Sequence, residues 1–247
     1  MQSGPKCVIL CLPVRTEWDA GREGQKERAM STESIVKAVL FDFGGVLAEE
    51  GFYEGLLAIA GKKRRDPGAF FKTVDTLIYE TGYLVGAAEE AAFWNAVRAA
   101  TGITGSDREL RQEIISRFVV RPGMLSIVDN LRARGLVAAM LSDQTDWLEE
   151  IDRGTGLFRH FDRVFNSFRL HKSKRDASVF IDVCAALGVR TAEALFIDDN
   201  ESHIKRAESR GLRTLHFTGV DSFVKRLELW LPGTGRPGRE TAERGET

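Results

Sequence analysis

The sequence predicts an α/β fold: a doubly wound parallel sheet with a small helical domain inserted after its first strand. Three observations carry that prediction. Short apolar runs bounded by turn residues recur at residues 36–41, 137–141 and 194–197, the pattern of strands buried on both faces. From residue 121 onward such runs alternate with amphipathic segments, as they do in parallel sheets covered by helices. Between the first run and residue 121, about seventy residues read as helix, too many for an ordinary crossover.

The boundaries that follow are a core formed by residues 30–48 and 121–231, and a helical cap formed by residues 49–120. Residues 1–29 are an extension with no pattern joining them to the core; either Met1 or Met30 is the start of the protein, and a loosely ordered arm is the other reading. Val36, Ala38, Val39, Leu40 and Phe41 form the first strand, which ends in Asp42 and is followed by Gly44 and Gly45. A carboxylate there either caps a βα turn or faces a ligand at the carboxyl end of the sheet. The two glycines let the backbone approach whatever is bound.

Helical spacing then takes over. Phe52, Leu56, Leu57 and Ile59 share one face, followed by the K-K-R-R-D-P-G run and a second amphipathic segment at 69–79. Residues 87–100 carry Phe93, Trp94 and Val97 on one side, and S-D-R-E opens the helix at 106–118 as a capping box with Glu109 three residues after Ser106. The basic run Lys62, Lys63, Arg64, Arg65 reads as a solvated helix end or as a phosphate contact; Trp94, Phe93, Tyr79 and Tyr83 read as cap core or as substrate contacts, and Tyr53 is a further candidate substrate contact.

The core resumes with R-P-G, a helix at 124–134 stopped by Gly135, and the strand V-A-A-M-L ending in Ser142 and Asp143. A helix at 147–153, a strand at 164–168, the loop containing Lys172 and Lys174, and a helix at 176–187 stopped by Gly188 come next. A-L-F-I closes in Asp198-Asp199-Asn200, then a helix at 201–210, a strand at 212–217 and a last helix at 223–229. The tail 232–247, rich in Gly, Arg and Glu, buries too little to order itself.

Composition bounds the partners. With 247 residues, 43% hydrophobic, 29% charged and a net charge of -1, the chain has a sizeable core and no basic excess, so neither nucleic acid nor an anionic membrane is expected. Small molecules are the expected partners, and no pattern specifies an oligomeric state. Cys7, Cys11 and Cys184 are too scattered for a disulfide framework or a zinc site, which points to the reducing cytoplasm. The apolar stretch at 7–14 is too short to span a membrane and lacks a cleavage site.

Three strands thus end in polar groups: Asp42, Ser142 with Asp143, and Asp198 with Asp199. Adjacent carboxylates repel unless a cation neutralises them, and oxygen ligands with few nitrogens suit Mg²⁺. A metal, a lysine and a hydroxyl together suit a phosphate dianion, with Asp42 as a nucleophile forming an acyl phosphate that water cleaves.

These segments, in this order, resemble the haloacid dehalogenase (HAD) superfamily, in the branch with a helical cap after the first motif, over about residues 33–230. F-D-F-G-G-V-L is similar to its first motif, which implies Asp42 as the nucleophile and a Mg²⁺ site that includes Asp42 and the Gly44 carbonyl. M-L-S-D resembles the second motif, implying that Ser142 holds the phosphoryl group, with Asp143 in place of the more usual Asn and Gly45 beside the bound substrate. K-R-D-A-S-V-F resembles the third and implies Lys174, rather than Lys172, as the motif lysine. F-I-D-D-N resembles the fourth and implies Asp198 and Asp199 as magnesium ligands; His203 stands where many relatives have Asn.

One position departs from the family pattern. Gly44 occupies the place where its phosphatases carry a second Asp, the general acid and base, and losing such a group costs on the order of 10²- to 10⁴-fold. Three readings remain. The first is a Mg²⁺-dependent phosphatase acting on a small phosphorylated molecule, which either has a good leaving group or is served by Glu49, Glu50 or Asp143 as a substitute acid. The second is a metal-independent 2-haloacid dehalogenase-like hydrolase, and the third a phosphate-binding or regulatory protein of low turnover.

Overall fold

The structure, a computed structural model, describes residues 35–231. The choice between Met1 and Met30, Cys7 and Cys11, and the tail lie outside that range. Among the described residues five strands are formed: β1 (Ala38–Phe41), β2 (Val137–Ser142), β3 (Arg163–Asn166), β4 (Ala194–Asp198) and β5 (Arg213–His216). All pair in parallel, in the order β3-β2-β1-β4-β5.

That order follows from the apolar runs. All four residues of β1 are buried, as central placement between β2 and β4 requires. Leu40 stands opposite Ala139 on one side and Phe196 on the other. Alternate residues serve opposite faces: Val39 and Phe41 join one apolar cluster with Met140 and Ile197, while Leu40 joins a second with Ala139, Phe180 and Phe196. From β1 the chain builds outward through β2 to β3, then returns across β1 to start β4. The direction of building therefore reverses between β1 and β4, and crevices at such switch points are where open α/β sheets bind ligands.

Four helices separate β1 from β2: α1 (Gly51–Lys62), α2 (Pro67–Glu80), α3 (Glu90–Thr101) and α4 (Asp107–Ile115). The capping box at α4 forms as the sequence predicts, with the Ser106 side chain accepting from the Glu109 N–H at 3.3 Å and the Ser106 N–H donating to Glu109 Oε2 at 2.8 Å. Asp66 caps α2 through the Ala69 N–H at 2.7 Å, with Pro67 in the first turn, where its missing N–H costs nothing. Helices α1 and α4 touch at Gly55, where a Cβ would stand 2.5 Å from the Ile114 Cα. The apolar cluster is continuous from these helices into the sheet: Trp94 stacks on Trp147 with centroids 5.9 Å apart.

The remaining helices are α5 (Pro122–Ala133), α6 (Trp147–Thr155), α7 (Ser167–Leu170), α8 (Ser178–Ala186), α9 (Glu201–Glu208) and α10 (Val220–Trp230). One element differs from expectation. The strand expected at 164–168 ends at Asn166, because the Asn166 side chain accepts from the Phe168 N–H at 3.0 Å and turns the chain into α7. Among the described residues, no helix is long and apolar enough to cross a membrane.

Candidate active site

Asp42 is held where β1 stops. Its backbone N–H donates to the Ile197 carbonyl at 2.9 Å, continuing the ladder to β4, and its Oδ1 accepts the Phe43 N–H at 2.7 Å. The free oxygen, Oδ2, lies 2.8 Å from Lys174 Nζ. That ammonium also donates to Asp198 Oδ2 at 2.6 Å, so one buried lysine bridges the acidic residues at the ends of the two central strands. Lys174 comes from the loop before α8, and the Asp143 carboxylate fixes it there by accepting its backbone N–H at 2.9 and 3.2 Å. Lys172 points elsewhere, to Asp182 and Ser178.

Asp198 is fully buried and accepts the Asn200 N–H at 2.7 Å; His203 Nδ1 lies 3.2 Å from its Oδ2. Ser142, at the end of β2, is 1% exposed, and its hydroxyl has no hydrogen-bond partner among the described residues. An unsatisfied buried hydroxyl costs about 1–3 kcal/mol, and a bound acceptor would relieve it. Asp199 packs over Gly45, whose φ is +74°; a Cβ there would stand 2.1 Å from Asp199 Oδ2, so only glycine fits.

Charge is unbalanced here. Burial raises Asp42 well above the ordinary carboxylate range, Lys174 opposes it, and Asp198 and Asp199 push it further up. Burial also works against ionisation of Asp198, but Lys174 and His203 outweigh it and hold that carboxyl low. Asp199 is raised by burial and then by Asp198. Burial would strip the Lys174 proton, yet Asp198, Asp42 and Asp143 keep it firmly charged. Four acidic groups, Asp42, Asp143, Asp198 and Asp199, around one lysine leave a deficit of positive charge, and their oxygen-rich donor set fits a hard divalent cation such as Mg²⁺. Side-chain donor atoms of Asp42, Asp198 and His203 lie within 4.8 Å of one another; Asp199 is outside that group but lines the same cavity as Asp42 and His203.

The cavity holds about 370 Å³ and lies over Asp42, Gly44, Asp143, Lys174 and Asp199. Phe52 and Tyr53 of α1, Phe71, Ile78 and Tyr79 of α2, and Trp147 form its apolar wall. Ser142 and Asp198 are buried and do not line it, nor does the half-buried Gly45. None of Lys62, Lys63, Arg64 or Arg65 lines it: Lys62 pairs with Glu113, and Arg65 donates to the Gly102 carbonyl at 2.9 Å. Trp94 is wholly buried and donates to Glu90 at 3.0 Å, while Tyr53 does line the cavity.

Glu50, Asp75, Gln144, Thr145 and His203 line it as well. Sequence reasoning named Glu50 beside Glu49 and Asp143 without a means of choosing among them, and it passed over Asp75, Gln144 and Thr145. For His203, the sequence signal was only that it stands where many relatives have Asn. Glu50 is pushed up to about 7, first by burial and then by Asp199, with Lys174 and the Tyr53 backbone N–H opposing.

Fold and site define a class: a parallel α/β protein whose acidic groups gather with one lysine at the switch point of the sheet. Within that class, the chain belongs to the haloacid dehalogenase-like hydrolase family, whose model matches residues 36–209. It is 23% identical over 218 residues to flavin mononucleotide hydrolase 1 of Arabidopsis thaliana, covering 87% of this chain and 86% of that one. It is 30% identical over 133 residues to acyl-CoA dehydrogenase family member 10 of Mus musculus, covering 49% of this chain but 12% of that protein. It spans 40% of the mouse bifunctional epoxide hydrolase 2, at 24% identity over 82% of this chain. Among solved structures, a HAD-family enzyme of Bacteroides thetaiotaomicron superposes with a TM-score of 0.63 at 23% identity, over 76% of this chain and 96% of that one. The same enzyme with magnesium and inorganic phosphate gives 0.57 at 22% identity, over 73% and 93%. L-2-haloacid dehalogenase of Xanthobacter autotrophicus gives 0.58 at 20% identity, over 82% and 85%.

Proposed function

We propose that this HAD-family hydrolase is a Mg²⁺-dependent phosphatase of a small phosphate monoester, working through an aspartyl phosphate on Asp42. One observation carries the reading: the unpartnered Ser142 hydroxyl at the end of β2, the strand next to β1, whose end holds Asp42 against Lys174. A phosphoryl group at that place satisfies the hydroxyl and meets the lysine. Asp42 Oδ2 attacks phosphorus, the bond to the leaving oxygen breaks, and water then cleaves the acyl phosphate, restoring Asp42 and releasing phosphate. Lys174 orients the nucleophile and offsets phosphoryl charge, and Asp143 keeps that lysine in place. Asp42, Asp198, Asp199 and the Gly44 carbonyl would hold Mg²⁺, which when bound supplies charge neutralisation on the phosphoryl oxygens.

Residues 49–120 act in this reading as the cap that excludes water and selects the substrate, through Phe52, Tyr53, Phe71 and Tyr79. The plant relative makes flavin mononucleotide a reasoned member of any substrate panel. The absence of a side chain at Gly44 favours a second reading, carbon attack on a 2-haloacid, while the Asp198-Asp199 pair favours phosphate. A panel of phosphate esters and 2-haloacids, each with Mg²⁺ or chelator, separates them. Phosphate release that chelator abolishes supports the proposal; halide release indifferent to chelator overturns it.

A further inference from the structure

We propose that Glu50 is the proton donor and acceptor of this site, supplying from the start of α1 the carboxyl group that Gly44 lacks. The proposal rests on the phosphatase reading above. A Cβ built on Gly44 would stand 2.7 Å from Glu50 Oε2, 3.5 Å from its carboxyl carbon and 3.6 Å from Oε1. The Glu50 carboxyl group therefore fills the volume that an acidic side chain at position 44 would fill. Chain geometry explains how it arrives there: the turn after β1 folds back on itself, with Leu47 and Ala48 N–H groups both donating to the Phe43 carbonyl at 2.9 Å, and α1 starts immediately beyond.

The competing carboxylates are committed. Glu49 is exposed and holds the Arg121 guanidinium at 3.1 and 2.8 Å, and Asp143 accepts the Lys174 backbone N–H. Asp143 lines the same cavity as Glu50, Asp42 and Lys174, but both of its oxygens accept the Lys174 N–H, whereas the Glu50 carboxyl stands over Gly44. In the first step, as Asp42 Oδ2 bonds to phosphorus and the bond to the leaving oxygen breaks, the Glu50 acid gives that oxygen its proton and becomes a carboxylate. In the second, the carboxylate takes a proton from water, the water oxygen bonds to phosphorus, and the bond to Asp42 breaks. Both side chains are then restored.

The test exploits leaving groups. An alkoxide needs a proton as it departs and a nitrophenolate does not, so kcat/KM is compared for glycerol phosphate and 4-nitrophenyl phosphate at fixed Mg²⁺. Glu50→Gln is expected to lose on the order of 10²- to 10⁴-fold on the alkyl ester and less than about tenfold on the aryl ester. The swap Gly44→Asp with Glu50→Ala, which clears the volume and refills it from the other side, is expected to regain alkyl-ester activity that Glu50→Ala alone loses. Equal losses on both esters, or none on either, overturn the proposal, since a merely structural role would not separate them. A retained burst of 4-nitrophenolate from Glu50→Gln, which reads the first step alone, shows that the variant is folded. A wild type inert toward every ester overturns the phosphatase reading and this proposal together, whereas an active wild type matched by Glu50→Gln overturns this proposal alone.

Discussion

Lys174 Nζ lies 2.6 Å from Asp198 Oδ2, and both side chains are withdrawn from solvent. Removing one partner of such a pair leaves an uncompensated buried charge, which typically costs about 3–5 kcal/mol. Lys174→Met is therefore expected to destabilise the protein by roughly that amount in urea unfolding. Adding Asp198→Asn to it should cost less than the sum of the two single changes, because neither charge is then stranded. Additive losses would show that the pair is not coupled.

Gly45 sets a second constraint. With φ at +74° and Asp199 Oδ2 only 2.1 Å from any Cβ placed there, Gly45→Ala must both strain the backbone and expel Asp199. A loss of at least about 2 kcal/mol is expected, on the scale of strain at such positions together with overpacking. Circular dichroism during chemical denaturation measures it; a neutral outcome would mean that the turn relaxes freely.

Glu50 makes stability depend on pH in a direction opposite to that of a paired carboxylate. Its pKa rises from 4.5 to about 7 on folding, through burial and then repulsion from Asp199. Below about 4.5 the group is protonated in both states and carries no penalty; between about 4.5 and 7 the unfolded chain ionises it while the folded one does not, so stability falls across that window and the full penalty stands above 7. The rise from 4.5 to about 7 corresponds to roughly 3 kcal/mol. Since Asp42, Asp198, Asp199 and Lys174 titrate in the same site, the informative quantity is the difference between wild type and Glu50→Gln without added metal. Glu50→Gln should gain stability over wild type at pH 8 and show little difference at pH 4.5, and a pH-independent difference would refute the assignment.

Magnesium should stabilise the folded state by mass action. At a concentration one hundred times the dissociation constant, the gain is about 2.7 kcal/mol. A rise in the thermal midpoint of wild type with Mg²⁺, much reduced in Asp198→Asn and Asp199→Asn, is the expected result. A midpoint unmoved by Mg²⁺ in wild type would contradict the ion site.

The strands were legible because β1, β2 and β4 are short, wholly apolar and stopped by polar residues, and a strand buried on both faces leaves little other pattern. Helix ends with caps, at Ser106 and Asp66, were equally legible. Residues 167–168 were misread because the Asn166 side chain accepts the Phe168 N–H and starts a helical turn, while in the sequence the apolar Phe168 beyond the polar Asn166-Ser167 pair reads as a continuation of the strand. At the site, motif order pointed to Asp42, Lys174 and Asp198. Selecting Glu50 over Glu49 needed the turn geometry, since adjacent residues at a helix start point in different directions: one reaches Arg121, the other Gly44. The commitment of Asp143 to the Lys174 backbone was equally invisible, because it joins segments 31 residues apart.

Asp42 as nucleophile is the central claim, and single-turnover quench with peptide mapping tests it most directly. Wild type mixed with a hydrolysed phosphate ester and Mg²⁺ should carry an acid-stable, alkali-labile phosphoryl group on the peptide containing Asp42, and Asp42→Asn should carry none and be inactive. Full turnover with no phosphoryl group ever found on that peptide would contradict the account.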